Sequence, residues 1–224
     1  MAYILNIETS TKNCSVSIAK DGEIIAFKEL NTGNYSHAEM LHPFIADCMK
    51  ESNLTFDQLD AIAVGKGPGS YTGLRIGVSA AKGLCFSNDL PLISINSLEV
   101  LAHSCEASSG YIIPMIDARR MEVYCSVFNA DKELVSETEA KIIDETSFQS
   151  YLEQGTVTFL GDGAEKCKTI LQHKNASFID DHFPSAKDMI QLTYAKYKKN
   201  DVENVAYFEP FYLKDFVVTK EKKK

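Results

Sequence analysis

A glycine-rich stretch from Val64 to Gly83 carries the strongest chemical signal in the sequence. It reads VGKGPGSYTGLRIGVSAAKG and places glycines directly before a run of helix-forming residues. Such a loop lets backbone N–H groups approach an anion, and the positive end of a following helix attracts negative charge. A Walker loop needs lysine after the turn, whereas Lys66 precedes it. The stretch therefore predicts either a phosphate site of another kind or a tight strand-to-helix turn, in which Gly73 and Gly77 let another helix come close.

Acidic residues and glycine turns recur at matching places in the two halves of the chain. Glu8 and Asp117 each end an apolar segment, and each half carries a Gly-x-Gly where its fourth predicted strand meets a helix. Two such units facing each other would form a cleft with acids and glycine turns along its walls. The candidate nucleotide or phosphate contacts are Glu8, Ser10, Gly67, Gly69, Ser70, Asp117, Gly161 and Gly163.

Metal-binding and nucleophilic patterns are weak by comparison. The six cysteines are spread singly with no CxxC pair, which indicates reduced, structural thiols. His37 and His42 are five residues apart and would point in different directions on a helix. No nucleophile has an evident histidine partner. We therefore predict no metal site and no catalytic residue.

The first half predicts three strands, a helix, a strand, a helix and a further strand. An Asp-Gly pair at Asp21 suits a hairpin between the second and third strands. Ser36 and Glu39 have capping-box spacing before the first helix, and Pro43 inside it predicts a kink or a late start. The segments are Tyr3 to Ile7, Cys14 to Ala19, Glu23 to Leu30, the helix after Asn34, Asp60 to Val64, Thr72 to Phe86, and PLISIN.

The second half predicts the same order of elements. IETSTKNCSVSIAKDGEII in the first half parallels IDARRMEVYCSVFNADKELV in the second. The second-half strands are YIIPMIDA, MEVYCSVFNA, ELVSETEA and TVTFLGDGA, and its helices are Glu145 to Gln154, Glu165 to Gln172 and Ala186 to Lys199. The sequence thus predicts an α/β fold with two duplicated βββαβα halves.

This arrangement resembles the actin-like ATPase (ribonuclease H-like) fold of actin, sugar kinases and Hsp70. The resemblance implies a first subdomain over residues 1–103, joined by a C-terminal helix near 185–200, and a second over 104–224, with a hinge near AHSCEASSG. Kinases of that superfamily carry Asp-x-Gly-Thr in the first loop. Here Glu8 replaces the aspartate and Ser10 replaces the glycine, while Ala118 occupies the matching place in the second half. We expect the phosphate grip to be weakened.

Further motifs resemble the TsaB (YeaZ) family over essentially the whole chain. They are IETSTKNCSVSI, HAEMLHP, GKGPGSYTGLRIGVSAAKGL, PLISINSLEVLA, DARRMEVY and EPFYLKD. The resemblance implies a non-catalytic subunit that pairs with the transferase TsaD, joined by the ATPase TsaE, in making threonylcarbamoyladenosine beside the tRNA anticodon. Where the catalytic relative has a His-x-x-x-His metal pair, this chain has Ser97 and Leu101. No cofactor is expected to be required, although ATP or ADP could bind at the cleft or at the subunit interface.

The resemblance places the docking face on helices of the first half. Its predicted residues are His37, Met40, Leu41, Phe44, Cys48, Gly73, Leu74, Gly77, Val78 and Ala81. The alternative is that Ile45, Leu74 and Ala81 face the sheet, because a helix covering a sheet must bury one stripe. An apolar docking face without its partner also predicts a homodimer.

Charge and composition limit the partners. The formal net charge of the 224 residues is -8, whereas a protein that grips nucleic acid alone normally presents a basic stripe. We therefore expect tRNA contact only through the complex. No segment approaches the apolar length of a membrane span, and a cytoplasmic location with no membrane partner is expected. A stand-alone small-molecule kinase or ATPase is the main alternative, and a metallopeptidase is a more remote one.

Overall fold

A computed structural model describes residues 1–34, 36–107 and 109–214. The first half forms a five-stranded sheet in the order β3-β2-β1-β4-β5. Its strands are β1 (Tyr3–Glu8), β2 (Cys14–Lys20), β3 (Glu23–Leu30), β4 (Ala61–Gly67) and β5 (Leu92–Asn96). The first three strands pair antiparallel, and β1, β4 and β5 run parallel. The carboxyl ends of β1 and β4 therefore meet at one edge, where the first loop and the glycine loop follow.

Three helices accompany this sheet, namely α1 (His37–Glu51), α2 (Tyr71–Asn88) and α3 (Ser97–Ser104). The first of them begins at His37 and runs through Pro43, so the alternative of a late start is wrong. The Ser36 side chain makes no capping hydrogen bond, and the predicted capping box is also wrong. The second helix has the cap that the first lacks, because Ser70 Oγ accepts from the Gly73 amide.

The second half repeats the topology, with the sheet order β10-β9-β6-β7-β8. Its elements are β6 (Tyr111–Asp117), β7 (Glu122–Asn129), β8 (Leu134–Ile142), α4 (Gln149–Gln154), β9 (Val157–Leu160), β10 (Ala176–Ile179) and α5 (Ile190–Lys198). The duplicated α/β fold is therefore confirmed. The helix predicted over Glu165 to Gln172 is wrong, since only a 3-10 turn forms at Glu165–Cys167. The last helix begins at Ile190 instead of Ala186.

Each sheet has its own apolar core, and two helices connect the halves. The helix α3 contacts β4 and β5 of the first sheet and β6 and β7 of the second. The segment entering α5 places Ala186 and Met189 in a cluster with Ile4 and Ile93 of the first sheet. The division at residue 103 remains a proposal, and the predicted hinge includes Ser108, which lies outside the described residues. The part of the second subdomain after Lys214 lies outside them as well.

The segment from Asp201 to Lys214, which we name the C-terminal strap, runs back over the first half. Glu203 pairs with the edge of the first sheet at Leu92. The Lys82 ammonium of α2 donates to the Phe208 carbonyl oxygen at 2.8 Å. Phe211 then donates its amide to the Lys66 carbonyl oxygen, also at 2.8 Å. Among the described residues, no helix is long and apolar enough to cross a membrane.

Candidate functional site

A cleft of about 990 Å³ lies between the two halves. The first half contributes the loop after β1, the glycine loop and the start of α2, and the second contributes the β6–β7 hairpin and Asp162. Of the predicted nucleotide contacts, Ser10, Gly69, Ser70 and Asp117 line this cleft. The C-terminal strap closes one side of it, because Lys214 forms an ion pair with Glu122 of β7.

The glycine loop is packed against the loop that follows β1. Ser70 donates its amide to the Ser10 carbonyl oxygen at 2.6 Å. A Cβ at Gly69 would stand 2.2 Å from that same oxygen, and φ at Gly69 is +159°. A residue with a side chain would therefore separate the two loops. This contact favours the tight-turn interpretation, since a carbonyl oxygen occupies the approach that a phosphate would need.

The two helical glycines of the same motif also serve contacts within the chain. A Cβ at Gly73 would lie 2.2 Å from the Thr9 carbonyl oxygen, and one at Gly77 would lie 2.2 Å from Thr9 Oγ1. Thr9 Oγ1 in turn donates to the Gly73 carbonyl oxygen at 2.9 Å. The helix α2 is thereby seated on the loop after β1. Both glycines are buried against Thr9, and their place in a docking face stays a prediction.

Glu8 is fully buried beneath the cleft. Its carboxylate accepts from the Ser10 amide at 2.6 Å and from Ser97 Oγ at 3.0 Å. Burial raises the pKa of Glu8, and the hydrogen bonds from Ser10 and Ser97 oppose that rise. A Cβ at Gly65 would stand 2.1 Å from the Glu8 carboxylate, so this glycine makes room for the acid. Glu8 is therefore held by the protein itself instead of facing a ligand.

The remaining predicted phosphate contacts are also internal. Gly67, Gly161 and Gly163 are buried and lie outside the cleft lining. A Cβ at Gly161 would meet the Met115 carbonyl oxygen at 2.2 Å, which shows that this turn packs on β6. These three glycines and Glu8 are packed inside the chain and do not line the cleft, so phosphate contact by them stays a prediction.

The acidic side chains of the second half that lie at the cleft are also bonded to other groups of the chain. Asp117 forms an ion pair with Lys166 and donates its amide to Asp162 Oδ1 at 3.0 Å. Burial raises the pKa of Asp162. Within the described ranges, no group of three or more histidine, cysteine, aspartate or glutamate side chains could hold a metal ion.

Most of the predicted docking residues on α1 and α2 face the core. Leu41, Cys48, Leu74 and Ala81 are at most 1% exposed. His37, Phe44 and Val78 are buried too, and only Met40 is half-buried. These side chains are buried within the chain itself, and their part in docking stays a prediction. His37 illustrates the point, since its Nε2 lies 2.7 Å from the Thr11 carbonyl oxygen and burial lowers its pKa.

The outer surface of the same two helices carries a different groove, of about 560 Å³. We name it the α1–α2 groove. It is lined by His42, Arg75, Ile76, Ser79, Ala80, Gly83 and Leu84. Ile76, Ala80 and Leu84 recur every four residues and therefore share one helix face. This second apolar stripe is the sequence signal that could have predicted the α1–α2 groove. The groove was not predicted because the docking face was assigned to the other stripe, through Leu74 and Val78.

Comparisons with known proteins agree with this geometry. The family model described as TsaD, tRNA N6-adenosine threonylcarbamoyltransferase, matches residues 32–222. The tRNA threonylcarbamoyladenosine biosynthesis protein TsaB of Haemophilus influenzae is 30% identical, covering 97% of this chain and 96% of the relative. The TsaB protein of Escherichia coli is 29% identical over 97% of both chains. The solved structure of YeaZ from Pseudomonas aeruginosa superimposes with a TM-score of 0.84 at 25% identity, covering 95% of this chain and 100% of that one.

The fold and the family match define an actin-like protein of the threonylcarbamoyltransferase-related class. Within that class, the chain belongs to the TsaB family. The resemblance drawn from the sequence motifs is thereby confirmed.

Proposed function

We propose that this chain is a non-catalytic subunit in the biosynthesis of threonylcarbamoyladenosine in tRNA. The observation that carries the proposal is the closed first loop: Glu8 is buried on Ser97, and Ser10 is joined to the glycine loop. A phosphoryl-transfer site needs anion-binding backbone amides and an acid that can reach a metal. Here the Ser10 and Ser70 amides and the Glu8 carboxylate all bond to other groups of the chain. The stand-alone kinase alternative has no such support.

The proposed partner is a TsaD-type transferase, with a TsaE-type ATPase joining the pair. The support is the family match together with the α1–α2 groove, which is an apolar depression between two exposed helix faces. A partner helix pair could pack there with ridges in grooves, and the half-buried Ile76 and Leu84 would lose their remaining exposure. In the absence of the transferase, a second copy of this chain is the proposed occupant of the same face.

Nucleotide is not part of the proposed activity of the chain alone. The cleft is large enough to hold ATP or ADP, and the subunit interface is the other proposed location. In either place the nucleotide would serve the assembled complex. We propose the cytoplasm as the location, because the relatives named above act in tRNA modification.

Gly83→Glu tests the docking face. Gly83 is exposed in α2 and lines the α1–α2 groove, and a Cβ added there would meet no atom within 4 Å. Glutamate there improves helix propensity by roughly 1 kcal/mol and places a charge in an apolar groove. We expect an unchanged or higher Tm for the isolated chain and at least a tenfold loss of transferase binding in sedimentation. Ser150→Glu, on the exposed face of α4, adds the same charge to the other half as a control. Equal binding by both variants would refute the assignment of this face.

A further inference from the structure

A group of cations lies at the mouth of the cleft. Lys12 comes from the loop after β1, and Arg119 and Arg120 come from the β6–β7 hairpin. All three are exposed, and none forms an ion pair with any residue that the structure describes. The lining acids Asp117 and Glu122 are already paired with Lys166 and Lys214. Of the described acids that line the cleft, Glu39 and Asp162 are left to balance the three cations.

The two arginines of the hairpin have positive φ, a backbone conformation that is unfavourable for arginine. Arg119 has φ +71° and Arg120 has φ +52°. The turn is closed by the Glu122 amide, which donates to the Arg119 carbonyl oxygen at 3.2 Å, and by the Arg119 amide, which donates to Asp117 Oδ1 at 3.0 Å. Glycine and asparagine adopt positive φ at much lower cost than arginine. The requirements of the turn therefore do not explain why arginine stands at these two positions. We take the positive φ values as an indication that the arginine side chains have a separate role.

The amino end of α2 opens on the same space. Tyr71 and Thr72 line the cleft, and the first turn of this 18-residue helix contains no acid. Ser70 Oγ accepts from the Gly73 amide. Because the first residues of α2 line the cleft, the positive end of the helix dipole lies there. The helix end thus adds positive potential beside Lys12 on the first half, while Arg119 and Arg120 supply positive charge from the second half.

The interior of the cleft carries hydrogen-bond acceptors, whereas the exposed cations of the lining lie at its mouth. Asp162 and the Ser10 carbonyl oxygen belong to residues that line the interior, and both are hydrogen-bond acceptors. The cations are instead spread over both sides of the mouth, where a chain of phosphates could pass along them. A net charge of -8 opposes such an anion at long range, so binding to the isolated chain would be weak.

We infer that Lys12, Arg119 and Arg120 contact the phosphodiester backbone of tRNA in the assembled complex. The inference rests on the proposed function, since tRNA reaches this face only when the transferase also holds it. Each cation would neutralise one phosphate and release its counterions, which contributes affinity without base specificity. The cleft mouth is thus a secondary RNA contact and takes no part in the chemistry.

The test uses the complex of this chain with its transferase and an unmodified tRNA transcript. Arg119→Asn/Arg120→Gly removes both guanidinium groups and relieves the turn, whereas Lys174→Gln/Lys199→Gln removes two exposed charges elsewhere. We expect the hairpin variant to bind tRNA about tenfold more weakly at low salt. The slope of log Kobs against log[salt] should become shallower by about one to two. The Tm of the isolated variant should rise by a few degrees, so instability cannot explain the loss.

Assembly is measured first by sedimentation, which separates two kinds of failure. Absence of a complex with the wild-type chain would contradict the proposed function. A complex that forms normally, with tRNA affinity and salt slope equal in the hairpin variant and the lysine control, would overturn the inference alone. ATP is titrated into the isolated chain in parallel. ATP binding that is lost in the hairpin variant, with tRNA binding unchanged, would assign the cations to a nucleotide and also overturn the inference.

Discussion

Gly77→Ala distinguishes a helix seated on its own fold from a helix shaped for a partner. The new Cβ would stand 2.2 Å from Thr9 Oγ1 and 3.4 Å from both Thr9 Cβ and Thr9 Cγ2. Thr9 is fully buried and its hydroxyl donates to the Gly73 carbonyl oxygen, so it has no free space in which to move. The close contact therefore involves one atom, the hydroxyl oxygen.

The expected energies follow from that contact. Alanine in place of glycine gains about 1 kcal/mol of helix stability. Forcing the hydroxyl aside costs about 1–3 kcal/mol in strain and about 1 kcal/mol in the lost hydrogen bond. Gly77→Ala should therefore lower the free energy of unfolding by roughly 1–3 kcal/mol. Thr9→Ala removes the oxygen and leaves Cβ at 3.4 Å, so in that background Gly77→Ala should stabilise by up to about 1 kcal/mol.

Urea denaturation of the four chains in this double-mutant cycle measures the sign change. Gly83→Ala is the matched control, because it lies in the same helix and its Cβ would meet no atom within 4 Å. It should stabilise by about 0.5–1 kcal/mol in both backgrounds. The reasoning is refuted if Gly77→Ala has the same effect in the wild-type chain and in the Thr9→Ala background, since Thr9 Oγ1 would then not limit the site.

Three further changes have defined outcomes. Burial raises the pKa of Asp188 to about 6, so stability is lost as the pH rises from about 4, the ordinary value of the group, to about 6. After allowance for solvent screening, Asp188→Asn should stabilise by about 1 kcal/mol at pH 7.5 and by nothing near pH 3.5 in urea titrations. Burial lowers the pKa of His37, so the stability of the fold decreases as the pH drops below about 6.5. His37→Gln can still donate to the Thr11 carbonyl oxygen and should reduce this pH dependence of the Tm in thermal melts. Lys82→Met removes the ammonium that bonds to the C-terminal strap, so hydrogen exchange at the Phe211 amide should accelerate about fivefold. Unchanged exchange would show that other contacts hold the strap.

The duplicated sheets were predictable because their signals are local. The Asp21-Gly22 turn fixes the β2–β3 hairpin, and each half repeats the same order of apolar segments. The strand β10 was missed because Ala176–Ile179 has only four residues and no alternating pattern. The helix predicted from Glu165 fails after one turn, where Cys167 and Leu171 are drawn into the second core. Tertiary burial thus decided the helix, and parallel pairing with β9 decided the strand.

The candidate site was less predictable because its contacts join distant parts of the chain. Gly73 and Gly77 were recognised as close-approach positions, but their partner, Thr9, is more than sixty residues away in sequence. The helix α2 also carries two apolar stripes, and the sequence alone does not say which one faces the sheet. Burial of Leu74 and exposure of Gly83 settle that choice.

The central proposal is that this chain activates a transferase by docking and performs no chemistry itself. The most direct measurement is the rate of tRNA threonylcarbamoylation by a fixed amount of transferase, with the TsaE-type ATPase and threonylcarbamoyl-adenylate, as this chain is titrated in. We predict a background rate without the chain, saturation at an equimolar ratio, and no product when the transferase is omitted. A full rate without this chain, or steady turnover by the chain alone, would contradict the account.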